Sequence, residues 1–160
     1  MYLFLFYTKY MTEIRLITPN KEQQKTTFED LLLQSDKTLL YFYPKDNTPG
    51  CTIQATDFTL FNRHFAAYWI QIVWVSRDVE QSHCKFIEKY ELNIPLIVDT
   101  GLSLHKKFWA WGEKNNYGKK VNWVIRSSYL VDKKWNILKE WKNVRAKWHV
   151  AKLMRELSIT

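Results

Sequence analysis

Cysteine is scarce in this chain of 160 residues, which contains only Cys51 and Cys84. Two cysteines are too few for the disulfide framework of a small secreted domain. The chain also has no CxxC pair and no nearby histidine at ligand spacing, so the sequence does not predict a zinc site. We therefore expect cysteine to have a chemical role here rather than an architectural one, in a reducing compartment, and we predict a cytoplasmic location.

Long apolar runs are missing as well, and without a stretch of about 18 such residues a transmembrane helix is not predicted. The apolar segment at residues 2–7 has no basic region before it and no small-residue cleavage site after it, so it does not fit a signal peptide. We expect residues 1–11 to be a frayed extension, with Met11 as an alternative start, and residues 12–160 to form a single domain.

Negative charge is in the minority, with 16 acidic against 24 basic residues and a net charge of +8. Such a balance, with 16% aromatic residues, raises the question of nucleic-acid binding. The basic residues occur in ones and twos, however, and never five in a row. The pattern favours a solvated basic surface over a nucleic-acid partner.

Short apolar runs alternate with helical patterns along the chain, which predicts an α/β domain. We see no internal repeat, low-complexity tract or linker in the sequence. The predicted strands lie at 38–43, 70–76, 94–99, 122–132 and 135–141. The first predicted helix begins after Gly50. The second lies at 79–90, with Asp78 as a possible N-cap, and the third lies at 101–112, with Gly112 as its end. The last predicted helix carries Val150, Met154 and Leu157.

Cys51 occupies the corner between the first of these strands and the helix that follows. A helix N-terminus carries about half a positive charge from its unpaired amides, which favours a thiolate there. Pro44 and Pro49 stiffen the approach, Gly50 permits unusual backbone geometry and Thr48 adds a hydroxyl. The residues alone leave two interpretations open: a thiolate facing a small polar electrophile, or an inert buried cysteine that begins a core helix.

The segment "YFYPKDNTPGCT" (41–52) carries a P-x3-T-x2-C pattern that resembles the active-site motif of peroxiredoxins. More specifically, it is similar to the bacterioferritin-comigratory or PrxQ branch. The likeness extends through "VSRDVEQSHCKFIEKYELNIPLIVD", "KKFWAWGEKNNYGKKV" and "IRSSYLVD", and so covers residues 38–132. It implies a thioredoxin-like fold, with a central mixed β-sheet flanked by helices, and a thiol-dependent peroxidase that reduces hydrogen peroxide and organic hydroperoxides.

The resemblance also implies roles for individual residues. Cys51 is similar to the peroxidatic cysteine, and Thr48 to the hydroxyl that binds the peroxide. Pro44 resembles the residue that shields the site from water, and Arg126 the guanidinium that holds the thiolate and the substrate oxygens. Gln54 matches a Glu or Gln position of the family, where the alternatives are support of the site and simple solvent exposure.

The recycling of the enzyme is less clear from the resemblance. Many members of the branch place a resolving cysteine where this chain has Thr56, and a second group places it on the next helix, at a position that aligns with Ile87. Cys84 lies one turn earlier and is a candidate resolving cysteine with a shifted register. The alternative is a one-cysteine mechanism, in which Cys84 is a half-buried cysteine without a partner. We expect His83, beside it, to be structural rather than a proton shuttle.

The chemistry implied by the resemblance needs no metal or organic cofactor, and thioredoxin or another thiol is the expected reductant. We also expect no membrane partner, since no long apolar run is present, and we expect a monomer. The chain departs from the family in two places. The usual N-terminal hairpin is not recognisable in residues 12–37, and Trp123 and Trp135 stand where smaller residues are common. A rival hypothesis is a non-enzymatic, redox-responsive binding protein on the same scaffold, because fold alone does not determine function.

Overall fold

Residues 11–160, which the computed structural model describes, contain nine strands and five helices. The predicted extension lies outside the described residues except for Met11. The strands are β1 Glu13–Ile17, β2 Gln23–Thr27, β3 Lys37–Phe42, β4 Ile70–Ser76, β5 Leu96–Val98, β6 Trp111–Asn116, β7 Lys119–Val124, β8 Ser127–Asp132 and β9 Ile137–Trp141. The helices are α1 Phe28–Leu32, α2 Pro49–Ala67, α3 Glu80–Tyr90, α4 Ser103–Lys107 and α5 His149–Glu156.

Seven of these strands form one mixed sheet in the order β2-β1-β5-β4-β3-β8-β9. Strands β3, β4 and β5 run parallel to one another, whereas every other pairing in the sheet is antiparallel. Parallel strands need crossover connections, and α2 and α3 supply them. This mixed, helix-flanked sheet confirms the predicted α/β class and thioredoxin-like fold.

The two faces of the sheet carry separate apolar layers. Side chains of β3 alternate between them, so Tyr41 belongs to one layer and Phe42 to the other. Helices α2, α3 and α5 cover the first layer, while α1 and α4 cover the second. Because helices cover both faces of the sheet, β3 is buried over its whole length except at Lys37. Cys51 lies in the first layer, against the sheet.

The helix predicted over 101–112 is wrong in its extent. Helix α4 ends at Lys107, and the residues that follow enter strand β6. Leu104 and Phe108 both pack into the second layer, as the helical spacing predicts, but Trp109 turns the chain with a φ of 53°. Trp111 leaves the helical stripe and lies beneath the Arg77 guanidinium, whose carbon is 5.6 Å from the ring centre.

The single strand predicted over 122–132 is in fact two strands in two different sheets. Strand β7 ends at Val124 and pairs only with β6 in a two-stranded hairpin, whereas β8 begins at Ser127 and joins the main sheet between β3 and β9. The apolar alternation stops at the break, where two apolar residues (124–125) are followed by three polar ones (126–128). Ile125 and Arg126 are therefore the junction between the sheets. The predicted pairing of the 122–132 and 135–141 segments is confirmed between β8 and β9.

The N-cap predicted at Asp78 is also wrong. Val79 is the N-cap of α3, and the helix begins at Glu80. The Asp78 carboxylate faces the opposite way along the chain, where Oδ2 accepts from the backbone N–H of Asp46 at 3.0 Å and from the Ser76 hydroxyl at 2.7 Å. Asp78 thus holds the loop before Cys51 and does not cap the following helix.

Candidate active site

Cys51 is the third residue of α2, in the first turn after the loop that leaves β3. Thr48 is the N-cap and Pro49 the first helical residue, a position where proline loses no helical hydrogen bond. The side chain of Cys51 is completely buried. The chain therefore places a thiol beside the unpaired amides of a helix start and shields it from water, as the sequence predicts for the corner between strand and helix.

Arg126 brings a positive charge to this sulfur. Its Nη2 donates to the Cys51 Sγ at 3.3 Å, and its Nη1 donates to Gln54 Oε1 at 3.0 Å and to the Tyr41 hydroxyl. A guanidinium presents its donors in a fixed planar fork, so these contacts fix its orientation. A positively charged, donor-rich group in this position is able to stabilise negative charge on the sulfur or on an oxygen beside it.

Tyr41 is a member of the site that the sequence analysis missed. Its side chain is fully buried in β3, and burial raises the pKa of its phenol well above the ordinary range. The hydroxyl is therefore neutral, and it accepts from the cationic Arg126 without adding a second negative charge beside Cys51. A weak indication of this role was present in the sequence. Side chains two residues apart on a strand point to the same face of the sheet, and Tyr41 lies on the face of β3 that packs against the apolar residues of α2.

Gln54 lies one turn along α2 from Cys51 and is completely buried. The alternative of simple solvent exposure is therefore wrong. Its Oε1 accepts from Arg126, whereas its Nε2 has no hydrogen-bond partner within residues 11–160. Leaving a buried donor unpaired costs free energy, so the amide is positioned by its contact with the arginine and not by a complete network.

Thr48 and Pro44 both lie in the loop that leads into α2, and both are half-buried. The Thr48 hydroxyl donates to the Lys45 carbonyl at 2.9 Å, within the loop. A hydroxyl keeps two lone pairs when it donates and can rotate to a new acceptor, so this contact leaves Thr48 free to bind a substrate oxygen. The structure thus places both residues in the loop directly before α2, whose first turn carries Cys51.

A buried hydrogen-bonded pair, Asp46 and His83, ties this loop to α3. Asp46 Oδ2 lies 2.8 Å from His83 Nδ1 and accepts from the Ser82 hydroxyl, while Oδ1 accepts from the Tyr43 hydroxyl at 2.6 Å. His83 Nε2 faces the Ile97 carbonyl at 3.2 Å. Both ring nitrogens face acceptors in a fully buried place, which supports the structural interpretation of His83. This network was not predicted, because its members lie in separate segments of the chain.

Cys84 is half-buried on α3, and both cysteines are free thiols. Its sulfur faces the Lys21 carbonyl at 4.0 Å, in the turn between β1 and β2. The two positions that the family uses differ in their surroundings here: Thr56 is exposed on α2, and Ile87 is buried in the first apolar layer. In the reduced structure Cys84 thus faces the N-terminal hairpin.

Two other kinds of site are not found in the described part of the chain. No helix within residues 11–160 is both long enough and apolar enough to cross a membrane. Nor do three His, Cys, Asp or Glu side chains come together over the same residues as a metal site requires.

Known proteins are similar to this chain in sequence and in structure. The family model described as AhpC/TSA matches residues 11–140. Peroxiredoxin Bcp of Bacillus subtilis is 43% identical over 119 residues, which are 74% of this chain and 76% of that protein. Peroxiredoxin Bcp of Xanthomonas campestris is 35% identical over 119 residues, or 74% of each chain.

Solved structures agree with these sequence matches. The bacterioferritin comigratory protein of Xanthomonas campestris, studied for its alkyl peroxide reduction activity, superposes with a TM-score of 0.80 at 31% identity, over 91% of this chain and 89% of that one. A C-to-S mutant of PrxQ from Xylella fastidiosa gives a TM-score of 0.80 at 29% identity, over 91% and 87% of the two chains.

Sequence, fold and the arginine-bound thiol therefore define one class of protein, the peroxiredoxins, which are oxidoreductases that act as thiol-dependent peroxidases. This chain belongs to the AhpC/TSA family and, within it, to the Bcp/PrxQ peroxiredoxins. The resemblance drawn from "YFYPKDNTPGCT" is confirmed.

Proposed function

We propose that the thiolate of Cys51 attacks the terminal oxygen of a hydroperoxide. The observation that carries this assignment is the 3.3 Å contact between Arg126 Nη2 and the sulfur. In the attack a sulfur–oxygen bond forms and the oxygen–oxygen bond breaks, so the sulfur is oxidised to a sulfenic acid and the leaving oxygen takes a proton to become water or an alcohol. Negative charge spreads over the two oxygens, where the guanidinium donors stabilise it.

In this proposal Thr48 and Pro44 complete the substrate site. The Thr48 hydroxyl turns from the Lys45 carbonyl to the bound peroxide, and Pro44 excludes water from the sulfur. The alkyl peroxide reduction activity described for the Xanthomonas campestris relative supports organic hydroperoxides as substrates alongside hydrogen peroxide. Because Cys51 is buried, we infer that only the terminal oxygens enter the site while an organic group stays outside.

Recycling needs a second thiol, and we propose Cys84 for this role with thioredoxin as the final reductant. A disulfide requires Cα atoms within about 7 Å and side chains that point together. Since the Cys84 sulfur faces the Lys21 carbonyl, the first turn of α2 has to unwind for the two to meet. Helix ends open easily because few internal hydrogen bonds are lost there. In the one-cysteine alternative, an external thiol attacks the sulfenic acid directly.

We further propose that the enzyme acts as a cytoplasmic monomer with one domain over residues 12–160. Two free thiols fit a reducing compartment. The two apolar layers of residues 11–160 lie against a single sheet, which supports a single folding unit.

Peroxide consumption by the purified protein tests the peroxidase assignment. We expect turnover of hydrogen peroxide and of an alkyl hydroperoxide with a thioredoxin system or with dithiothreitol, and its loss in Cys51→Ser. Cys84→Ser is the matched control in a single-turnover oxidation without reductant, because it removes the other thiol and leaves the first oxidation step intact. If wild-type protein consumed no peroxide with either reductant, the rival assignment as a redox-responsive binding protein would replace this one.

The role of Cys84 is decided by the products of a single oxidation. One equivalent of hydrogen peroxide is added to reduced protein, free thiols are blocked, and the peptides are mapped by mass spectrometry. A Cys51–Cys84 link within one chain is the expected result. A sulfenic acid that persists at Cys51 beside a free Cys84 would instead establish the one-cysteine mechanism.

A further inference from the structure

A strongly basic concavity lies where β9 leads into α5. Its volume is about 520 Å³, and residues 142–155 form its whole described wall. Among residues 11–160, no Asp or Glu lines it. The basic side chains that line it are Lys142, Arg145, Lys147, Lys152 and Arg155. We call this the basic surface.

Part of this charge is balanced at the edges of the basic surface. The Nζ of Lys142 lies 3.6 Å from the Oε2 of Glu140, and the Nζ of Lys152 lies 4.0 Å from the Oε1 of Glu156. Exposed pairs of this kind are weak and screened by salt. The other three basic side chains form no salt bridge within residues 11–160, and these are Arg145, Lys147 and Arg155. The basic surface therefore keeps a net positive charge that is available to a partner.

The same segment packs directly against the first turn of α2. The backbone N–H of Val144 donates to the Arg126 carbonyl at 2.9 Å. A Cβ placed on Gly50 would lie 3.4 Å from the Cβ of Ala146 and 3.4 Å from Arg126 Nη2. The basic surface thus adjoins the turn that holds the buried Cys51. Residues 144–146 therefore lie next to the backbone on either side of this sulfur.

We propose that the basic surface docks an acidic protein dithiol that reduces oxidised Cys51. The inference rests on the proposed peroxidase function and names the partner of that same site. The first partner thiolate attacks the Cys51 sulfur of the Cys51–Cys84 disulfide and releases the Cys84 thiolate, which leaves a mixed disulfide between the partner and Cys51. The second partner thiolate then attacks the partner's own sulfur, so that the partner leaves as a disulfide and Cys51 returns as a thiolate. Two electrons pass from partner to enzyme in this sequence.

Charge and aromatic exposure both favour a protein of this chemistry. Trp148 is 71% exposed on the basic surface, and Trp109 is 63% exposed with Lys142 Nζ 5.7 Å from its ring centre. Exposed tryptophan and arginine are the residues that most often anchor protein interfaces. A partner with acidic residues around its dithiol would be steered to Cys51 by the opposite charge, which raises the association rate and makes it depend on salt.

The test is charge reversal on the basic surface with two reductants. The variant is Arg145→Glu/Lys147→Glu, and the matched control is Lys133→Glu/Lys134→Glu in the turn between β8 and β9. This turn lies at the end of the sheet opposite to Cys51, since Asp132 pairs with Lys37, the first residue of β3. The protein reductant is a thioredoxin whose sequence has a net negative charge, and the uncharged reductant is dithiothreitol.

We expect kcat/KM for thioredoxin to fall at least tenfold in the variant and less than twofold in the control. Turnover with dithiothreitol should stay within twofold of wild type in both proteins, which also shows that they fold. Raising the salt concentration should lower kcat/KM for thioredoxin in wild type and change it less in the variant.

Other results would count against the docking surface. An unchanged kcat/KM for thioredoxin in a variant that turns over normally with dithiothreitol overturns it and leaves the peroxidase assignment intact. Loss of turnover with both reductants in wild type overturns the peroxidase assignment itself. Binding of a single-stranded DNA oligonucleotide by wild type but not by the variant, with unchanged reduction by thioredoxin, would assign the basic surface to nucleic acid.

Discussion

The guanidinium of Arg126 joins the sulfur of Cys51 to the buried hydroxyl of Tyr41. One amino group contacts the sulfur at 3.3 Å, and the other contacts the phenol. The reactive sulfur is therefore oriented by a side chain that is itself fixed on the central sheet. Because the contacts belong to different nitrogens of one planar group, movement at either end changes the geometry at the other.

Replacing Arg126 with lysine should slow the oxidation of Cys51 by peroxide at least tenfold. An ammonium carries all its donors on one nitrogen and cannot reproduce the planar fork that reaches the sulfur with one nitrogen and Tyr41 and Gln54 with the other. Each charge-assisted contact that is lost costs about 1.4 kcal/mol or more, which is a factor of about ten in rate. Stopped-flow measurement of the oxidation step checks this. Arg63→Lys, on the exposed side of α2, is the matched control and should react at the wild-type rate. Equal rates for the two variants would remove Arg126 from the site.

Tyr41→Phe should slow the same step by about tenfold while the fold is retained. The change removes the hydroxyl that accepts from Arg126 and keeps the ring that packs against Trp74, with ring centres 4.7 Å apart. A hydrogen bond to a charged group contributes about 1.5–3 kcal/mol. The comparison is Tyr129→Phe, whose ring belongs to the apolar layer on the other face of the sheet. A normal rate in Tyr41→Phe would show that Gln54 alone orients the guanidinium.

Breaking the buried pair between Asp46 and His83 should lower the free energy of unfolding by about 3–5 kcal/mol, because the remaining polar group stays buried without its partner. Urea titration of Asp46→Ala and of His83→Ala, each of which removes one partner completely, measures the loss. The double variant should be more stable than the sum of the two single losses predicts. Asp36→Asn, which removes an exposed pair with Lys133, should change stability by less than about 1 kcal/mol. Strict additivity in the cycle would show that the two residues act independently.

His149 makes the stability depend on pH. Burial, followed by the nearby charges of Lys152 and Arg126, lowers its pKa from 6.5 to about 4. Between these two pH values the unfolded chain binds a proton at this residue that the native chain does not. The contribution of His149 to the free energy of unfolding is therefore fully present above about pH 6.5 and decreases as the pH falls toward 4. From pH 7 to pH 5 this residue alone should remove about 2 kcal/mol.

Urea titrations of wild type and His149→Gln at the two pH values check this. The variant also loses the contact of the ring nitrogen with the Ser128 hydroxyl at 2.7 Å, so the readout is the change between pH values and not the stability itself. The pH effect should be smaller in the variant by about 2 kcal/mol. His64→Gln, at an exposed position, should keep the wild-type pH effect. The same pH effect in all three proteins would contradict the assignment.

The central strands could be predicted because burial on both faces makes them apolar throughout. The run at 70–76 is strand β4 over the same residues, and the run at 38–43 is β3 within one residue at each end. The first hairpin was not predicted, since β2 reads "QQKTT" and none of its residues is fully buried. An edge strand with so little apolar character carries no pattern of its own.

The residues of the candidate site likewise fall into two groups, those that the sequence could propose and those that only the structure reveals. Cys51 and Thr48 stand in one short motif, and Arg126 was found through the longer resemblance, so sequence alone could propose them. Tyr41 and the pair formed by Asp46 and His83 depend on contacts between distant segments. Neither the apolar pattern nor the motif shows which polar side chains meet across the sheet, so these contacts appear only in the structure.

The contact between Arg126 and Cys51 joins residues 75 positions apart. At about 5–20 residues per second, synthesis of the intervening chain takes about 4–15 s. During that interval the chain already contains Cys51, but Arg126 has not yet been added. The newborn chain therefore carries the cysteine without its guanidinium contact. The proposed site is complete only when the last third of the protein has been made and has folded onto β3.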